Sequence, residues 1–384
     1  MKKNILLLFI VIGGALYCQP SKTDPYYIQP TDTVSPYHPT TIVRHILQDK
    51  SGNIWMASWT GIVKYVPEKN GASGIFTNYM LKESLIPFHT FCIKETKKGE
   101  LWFGTVRGGV YRFDGKSWIL YTTENGLADD LIDAFMEDKN GYIWIGTDGG
   151  VSIYDPTVPI TPGARAGIVT PAGAKITSKK GFANYGEADG LLNLRTNSII
   201  QDKFGKIWVA TRGGVFQCDP IVALGDMSAL SKVTKEFTQF YIKSGVPFTN
   251  VRCIKEDKKG IVWIGGADGL YSYNPELKGD SALKLHMPNF IGYINEDKAG
   301  NLWISCGEMH GMMSYGMSLY KYPLAEHRAS SKMLTKIYYT EAQVFESTED
   351  KDGNIWFGTV KGPIRYEPEK NGSGGKVFTE FWKK

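Results

Sequence analysis

The sequence predicts an all-β fold, a seven-bladed β-propeller made of four-stranded antiparallel blades, and three observations lead to it. A motif centred on one tryptophan recurs, short apolar segments alternate with turns rich in Gly, Asn and Asp, and successive copies lie 40 to 64 residues apart. Repeats of about 40–50 residues with several short strands are typical of propeller blades. The repeat tryptophans are Trp55, Trp102, Trp144, Trp208, Trp263, Trp303 and Trp356.

Residues 137–156 show how one repeat makes its strands. The apolar run 142–147 predicts a strand, and the turns at 139–141 and 148–150 contain the Gly and Asn residues that accept positive φ angles. Pro156 ends the next strand because proline has no N–H to donate to a sheet. Each repeat is therefore expected to form an inner strand, a tryptophan strand, a third strand and an outer strand.

Three other positions recur around each tryptophan. A glycine precedes it by three residues and a lysine by five, and that lysine follows an aspartate in six copies and Thr96 in the other. We interpret the aspartate as a turn cap and the lysine as a solvated side chain. The alternative is a ring of lysines that docks an anionic surface. The small residue two places after each tryptophan is expected to leave room for it, so that blades stack.

The pattern D-K-x-G-x-[ILV]-W-x-G-T, followed by G-[GL]-[VL]-x-x-Y-[DN]-P, resembles the two-component-regulator propeller repeat. The resemblance covers roughly residues 41–384. In that family such repeats form the periplasmic sensors of hybrid histidine kinases, mainly of Bacteroidetes-type bacteria. The resemblance therefore implies a sensor-like propeller, expected here as a stand-alone exported protein without a transducer. A weaker resemblance is to the seven-bladed streptogramin lyases, which use His and Glu groups from neighbouring blades.

The N-terminal residues predict export to the periplasm or the cell surface. Residues 1–18 read as a signal peptide, with two lysines followed by an apolar run too short to span a bilayer. Cys18 is a candidate lipid attachment site, although Tyr17 departs from the small residue expected before it. Plain secretion and an uncleaved anchor are the alternatives. Residues 19–40 predict an extended linker, in which residues 26–28 are an alternative edge strand, and residues 41–384 form the propeller.

Composition excludes several classes of function. The formal net charge is +5, and no cluster of Lys and Arg marks a nucleic-acid surface. There is no Gly-x-Ser-x-Gly, no paired-cysteine metal spacing and no phosphate-binding loop, so we predict no cofactor and no metal. The four cysteines after Cys18 are expected to be small buried hydrophobes rather than a disulfide framework. We expect a monomer that touches a membrane only through the N-terminal lipid.

Function is expected on the face formed by the turns between second and third strands, here called the top face. Charged and aromatic side chains around a central channel make a plausible small-molecule pocket. Two arginines among them could each hold a carboxylate or phosphate; the alternative for any one residue is an ordinary solvated turn. The predicted ligand-binding residues are Trp59, Arg107, Asp148, Arg212, Asp268, His310 and Lys361.

The leading functional interpretation is a non-catalytic, sensor- or regulator-like propeller that binds a ligand or protein partner on its top face. The partner is left open between a small molecule, a glycan and an envelope protein. The segment 308–313 interrupts the repeat and reads as an adaptable loop, a ligand clamp or a copper site. One alternative is a lyase-like enzyme that uses His310, Glu308 and His286, the last expected in a link between blades. Another is a structural component of a cell-envelope complex.

Overall fold

The computed structural model describes residues 34–35, 41–67, 74–157, 181–219, 237–243, 245–307, 317–323, 335–340, 344–368 and 377–381. These residues form antiparallel sheets in which consecutive strands pair, so the expected all-β propeller with four-stranded antiparallel blades is confirmed. Within these ranges, no helix has the length and apolar character needed to cross a membrane. The predicted signal peptide, Cys18 and residues 26–28 lie outside the described residues.

The described strands fall into seven sheets, and in each sheet four consecutive strands run outward in chain order. Two short strands, β1 and β18, add a fifth member at the outer edges of the first and fourth sheets. The first sheet contains β1 (Val34–Ser35), β2 (Val43–Gln48), β3 (Ile54–Ser58), β4 (Gly61–Val66) and β5 (Ile75–Asn78). The second to fourth sheets contain β6 (Thr90–Glu95), β7 (Leu101–Thr105), β8 (Val110–Phe113) and β9 (Trp118–Tyr121); β10 (Ile132–Glu137), β11 (Ile143–Thr147), β12 (Gly150–Tyr154) and β13 (Phe182–Tyr185); and β14 (Thr196–Gln201), β15 (Ile207–Thr211), β16 (Gly214–Cys218), β17 (Thr238–Lys243) and β18 (Val246–Pro247). The fifth to seventh sheets contain β19 (Val251–Glu256), β20 (Val262–Gly266), β21 (Gly269–Tyr273) and β22 (Leu283–Met287); β23 (Phe290–Glu296), β24 (Asn301–Gly307), β25 (Met317–Pro323) and β26 (Thr335–Thr340); and β27 (Val344–Glu349), β28 (Ile355–Thr359), β29 (Gly362–Glu367) and β30 (Val377–Glu380).

Helical structure in the described ranges is limited to single turns that connect strands. The helix α1 (Tyr79–Lys82) follows β5, and the Asn78 side chain caps it by accepting from the N–H groups of Met80 and Leu81. Three 3-10 turns lie elsewhere in the connections, at Thr123–Asn125, Glu187–Asp189 and Gly279–Ser281.

The innermost strands contact one another in a ring around a central channel. The order of contact is β2, β6, β10, β14, β19, β23 and β27, and β27 also contacts β2. At the outer edge of the first sheet, β1 pairs with β5, with Val34 opposite Thr77 and Ser35 opposite Phe76. Part of the segment predicted as a linker, residues 19–40, therefore extends the first sheet.

The tryptophans fill the gaps between neighbouring sheets. The Trp55 ring lies 5.6 Å from the ring of Phe103 in the next sheet, and Trp356 lies 5.5 Å from Tyr65 in the first sheet. In six repeats the indole N–H donates to the aspartate six residues before it, at 2.7 to 3.0 Å. In the second repeat Thr96 replaces that aspartate, and Nε1 of Trp102 is buried without a hydrogen-bond partner. The aspartate thus anchors the tryptophan as well as the turn.

The lysines of the turns between first and second strands, here called the lysine turns, are exposed, as expected, but they also bridge neighbouring sheets. Nζ of Lys50 donates to the carbonyl oxygens of Thr96 and Lys97 in the next sheet, at 2.9 and 2.7 Å. Its backbone N–H donates to the Glu95 carboxylate, also in the next sheet. Related bonds tie Lys97, Lys139, Lys203, Lys258 and Lys298 to their next sheets.

The same contact joins the last sheet to the first. The Lys351 backbone N–H donates to Oε1 of Gln48 at 2.6 Å. Because this bond connects residues 303 positions apart, it closes the ring of lysine turns.

The small residue after each tryptophan makes room for the next inner strand rather than for the tryptophan. A Cβ at Gly146 would lie 2.8 Å from Cγ2 of Thr196, and one at Gly358 would lie 2.6 Å from the carbonyl oxygen of Val43. Thr196 and Val43 are the first residues of β14 and β2. The expectation about which neighbour needs the space was therefore wrong, because the inner strands approach one another closely at this position.

Candidate functional site

The central channel has a volume of about 410 Å³ and is lined by residues of all the inner strands named above. Small-molecule sites usually have volumes of roughly 300–1,000 Å³. The channel is therefore large enough for a small ligand, and its lining side chains decide which ligand it can hold.

A β-bulge in each inner strand turns two successive side chains towards this channel. Pairing shifts between the first and third residues of the strand, for example between Val43 and His45 in β2 and between Ile132 and Ala134 in β10. The corresponding shift occurs in β6, β14, β19, β23 and β27. A bulge leaves the extra residue unpaired and redirects its side chain. The bulged residues consequently form one layer around the channel.

This layer, here called the channel mouth, lies near the top face. The backbone N–H of Trp59 donates to the carbonyl oxygen of Ile42, and that of Asp148 donates to Leu131. These bonds bring the top-face turns beside the residues that enter the inner strands. The channel mouth consists of Arg44, Phe91, Asp133, Asn197, Arg252, Gly292 and Phe345.

Arg44 lies between two aromatic rings of the channel mouth. Its guanidinium carbon is 4.5 Å from the ring centroid of Phe91 and 4.4 Å from that of Phe345. Burial lowers the pKa of Arg44 to about 10, Asp133 opposes this change, and the neighbouring charge of Arg252 adds to it. The guanidinium still carries its charge at neutral pH, and it has no hydrogen bond to a protein group among the described residues.

The acidic group of the channel mouth is already paired. Nε of Arg195 donates to Oδ2 of Asp133 at 2.8 Å, and a second guanidinium nitrogen lies 3.4 Å from Oδ1. Arg252 shows no such pairing within the described part of the chain. Burial lowers its pKa, the charges of Arg212 and Arg195 lower it further, and Asp133 opposes them. The channel mouth therefore has more positive than negative charge.

The channel lining as a whole also has more positive than negative charge. Among the lining residues four are cations, Arg44, Lys94, Arg252 and Lys255, and two are anions, Asp133 and Glu346.

The second anion also has a partner. Oε2 of Glu346 lies 3.0 Å from Nδ1 of His45, which also lies 3.2 Å from the backbone N–H of Ile93. One nitrogen cannot donate to the carboxylate and accept from the N–H together, so the imidazole uses one contact at a time.

Six of the predicted ligand-binding residues are described, and all lie in turns between second and third strands. Asp148 lies beside Arg195, the partner of Asp133, with its Oδ1 3.8 Å from Nε of Arg195. Arg212 lies close enough to lower the pKa of Arg252. Lys361 and Arg107 are exposed. His310 and Glu308 lie outside the described residues.

The other two described residues, Asp268 and Trp59, contact residues of the links between sheets. The Asp268 carboxylate accepts from the backbone N–H and the hydroxyl of Thr249, at 2.5 and 3.0 Å. The Trp59 ring lies 4.7 Å from the ring of His89, whose Nδ1 is 2.6 Å from the Trp59 carbonyl oxygen. None of these six residues lines the channel, and they lie in the turns outside the channel mouth.

His286 lies in β22, the outermost strand of its sheet, and not in a link between blades as expected. Its Nε2 is 2.8 Å from the Ser272 hydroxyl, and its ring is 4.9 Å from that of Trp263. Burial, aided by the charge of Lys284, lowers the pKa of His286 to about 4. His286 is not among the channel-lining residues, so it does not share a site with the channel mouth.

Sequence reasoning missed the residues of the channel mouth. They occupy one position of the repeat, the bulged residue of each inner strand, where no residue type dominates. The lysine, glycine and tryptophan positions, in contrast, are nearly constant. Variation at one position inside a regular repeat was the available signal for Arg44, Asp133 and Arg252.

Comparison with known proteins points to the same repeat. The two-component regulator propeller model matches residues 37–60, 126–149, 190–213 and 245–268. No curated protein matches the sequence significantly.

Several solved structures share the fold. The extracellular domain of BT4673 from B. thetaiotaomicron, named as a hybrid two component system, has a TM-score of 0.61 and 18% identity over 88% of this chain and 44% of that one. PorZ of Porphyromonas gingivalis has a TM-score of 0.55 and 14% identity over 84% and 46% of the two chains. Virginiamycin B lyase from Staphylococcus aureus has a TM-score of 0.53 and 13% identity over 85% and 94%.

The chain spans less than half the length of the solved two component system domains that it matches. At these identities the likeness establishes the fold alone. The matched segments recur with the spacing of the tryptophan motif, and each includes the end of one strand connection and the start of the next sheet. Four segments of the chain therefore match the two-component regulator propeller repeat, and the solved structures share the propeller fold.

Proposed function

We propose that this chain is a non-catalytic, exported, sensor- or regulator-like propeller that binds a small ligand in its central channel, at the top face. The observation that carries the proposal is the bulge in each inner strand. It directs unlike polar, aromatic and charged side chains into one enclosed space. A purely structural ring has no need to place there an arginine such as Arg44, which makes no hydrogen bond to a protein group among the described residues.

We propose further that the ring has seven blades. The seven sheets in the described residues, the circular order of inner-strand contacts and the bond from Lys351 to Gln48 all support this count. A closed ring gives the channel fixed walls, and a preformed site loses less conformational entropy when a ligand binds.

The location proposed is the periplasm or the cell surface. Lys2, Lys3 and the apolar residues that follow support export, and Cys18 is the proposed point of lipid attachment. The solved propellers that share the fold include two named as extracellular domains and one named as a bacterial surface component.

Two alternatives remain to be separated from ligand sensing. A lyase-like enzyme is favoured only by the shared fold with virginiamycin B lyase, and the position of His286 in an outer strand weighs against its proposed pairing with His310 and Glu308. A structural role in an envelope complex is favoured by the shared fold with PorZ, named as a component of the type-IX secretion system.

A thermal-melt screen of the purified protein tests the proposal. The panel contains sugars, nucleotides, peptides and divalent metals, and a ligand that binds the folded state raises the unfolding midpoint by mass action. We expect a selective shift that is lost in Arg252→Gln and retained in Lys116→Gln, which removes an equal charge from the exposed β8–β9 turn. Chemical conversion of the ligand would favour the enzyme, and a panel without any shift would favour a protein partner.

A further inference from the structure

We infer that the channel ligand carries an oxyanion, a carboxylate, sulfate or phosphate group, which Arg44 and Arg252 bind at the channel mouth. This inference rests on the proposed function, since it names the chemical class of ligand for the same channel. Nothing in the shared fold or in the repeat assigns these residues a role.

The charge of the channel mouth is unbalanced in a way that an anion would correct. Asp133 is the acid whose charge raises the pKa of both arginines, but its carboxylate is committed to Arg195. Removing a cation from water without a partner costs free energy, and the lowered pKa values of Arg44 and Arg252 reflect that cost. An oxyanion between them would supply the missing partner.

The geometry of Arg44 prepares it for such a contact. Phe91 and Phe345 come from the strands on either side of β2, and each lies against the guanidinium. Cation–π contacts on neighbouring sides fix a planar cation without using its N–H groups. The edge of the guanidinium remains available for the paired hydrogen bonds that arginine makes with carboxylate, sulfate and phosphate groups.

Arg252 has space beside it. Gly292 occupies the equivalent position of the next inner strand and contributes no side chain. On the other side, the Asn197 side chain donates to the carbonyl oxygen of Val251 at 2.7 Å, so that it is held against the wall. A ligand can therefore approach the Arg252 guanidinium without displacing a neighbour.

The deeper channel suits the rest of an anionic ligand. Lys94 and Lys255 add two more cations to the lining, against one further acid, Glu346. A volume of about 410 Å³ fits a small molecule rather than a polymer segment. We therefore expect binding of compact anions in preference to their neutral analogues.

Calorimetric titration of the purified protein tests the inference. The probes are inorganic sulfate, inorganic phosphate and the matched pair D-glucuronate and D-glucose, which differ by one carboxylate. Concentrations are kept low and ionic strength is balanced with chloride, because sulfate and phosphate at high concentration stabilise folded proteins generally. We expect glucuronate to bind and glucose not to bind.

The variants are Arg44→Gln and Arg252→Gln, with Lys116→Gln as the matched loss of one positive charge. Each channel variant should weaken anion binding by about tenfold or more, since it removes charged hydrogen bonds, and Lys116→Gln should leave it unchanged. Arg252→Lys keeps the charge without the paired N–H groups and should bind with intermediate affinity. Thermal melts establish that each variant is folded.

Two results would overturn the inference: equal binding of glucose and glucuronate, or unchanged anion affinity in folded Arg44→Gln and Arg252→Gln. These results are distinguishable from failure of the proposed function. If a neutral ligand raises the melting midpoint while all the anions fail to bind, the channel is a ligand site of another class. If neither neutral nor anionic ligands bind, both proposals are wrong.

Discussion

The lysine turns and the channel mouth lie at opposite ends of the inner strands. They differ in how much their residues vary between repeats and in whether their polar groups are paired. At the lysine turns the residues are nearly the same in every repeat, and their polar groups pair with the next sheet. At the channel mouth the residues differ from repeat to repeat, and two arginines have no hydrogen-bonding partner within the described structure. Repetition here accompanies stability, and variation accompanies the candidate binding site.

The difference has a physical origin. Every sheet packs against its neighbour in the same way, so the same residues can make that contact in every repeat. A ligand has no such rotational symmetry and needs unlike groups on its different sides. The following predictions test whether the repeated residues determine stability and the channel-mouth residues determine ligand binding.

The largest effect on stability is expected from a repeat tryptophan. Trp144→Ala removes a side chain that is 1% exposed and leaves a cavity between two sheets. We expect a loss of about 4 kcal/mol in the free energy of unfolding, measured by urea denaturation. Trp59→Ala is the control, because this tryptophan is 40% exposed, and it should cost far less.

A smaller loss is expected at the aspartate that anchors this tryptophan. Asp138→Ala removes the acceptor for the Trp144 indole and for the backbone N–H groups of Asn140 and Tyr142. Leaving buried donors unpaired should cost about 3 kcal/mol in the same denaturation assay. Thr96→Ala, at the equivalent position without an indole bond, should cost less than half of this. Equal losses would contradict the role assigned to the aspartate.

The reverse change should stabilise the second repeat. Thr96→Asp would offer an acceptor to the buried Nε1 of Trp102, which has none among the described residues. The nearby acid Glu100 is already paired with Arg112, so repulsion of the new carboxylate is reduced. We expect a gain of about 1 kcal/mol, read as a higher denaturation midpoint. A lower midpoint would show that the threonine is required there.

An effect that appears only at acidic pH is a change in the pH dependence of stability. The folded protein keeps His286 neutral because burial lowers its pKa from 6.5 to about 4. Between these values the unfolded chain binds a proton that the folded chain does not, so this residue makes stability fall as pH falls from 6.5 to 4. His286→Gln should flatten the pH profile of the melting midpoint in that range. An unchanged profile would exclude His286 as a source of acid sensitivity.

The fold was largely predictable from sequence because it depends on repeated residues. Trp144, Gly141 and Lys139 recur in register, and the turns and strands follow from them. The exposure of the lysines was expected, but their contacts were not, since Nζ of Lys50 finds its acceptors 46 and 47 residues away, in another sheet. No local pattern reports such a contact.

The candidate site was only partly predictable. Strand order placed Asp148 and Arg212 in turns between second and third strands, but none of the predicted ligand-binding residues that the structure describes lines the channel. Arg44 and Arg252 were missed because a bulge, which sequence does not reveal, turns their side chains into the channel. In a strictly alternating strand, only one of two successive residues would face that space.

The most direct test of the division between stability and binding is a thermal melt of three proteins with and without D-glucuronate. We expect Asp138→Ala to melt at a lower temperature than the wild type but to keep the glucuronate-dependent rise. We expect the double variant Arg44→Gln, Arg252→Gln to melt no lower than the wild type and to lose the rise. If the double variant instead melts much lower and retains the rise, those arginines stabilise the ring rather than bind the ligand.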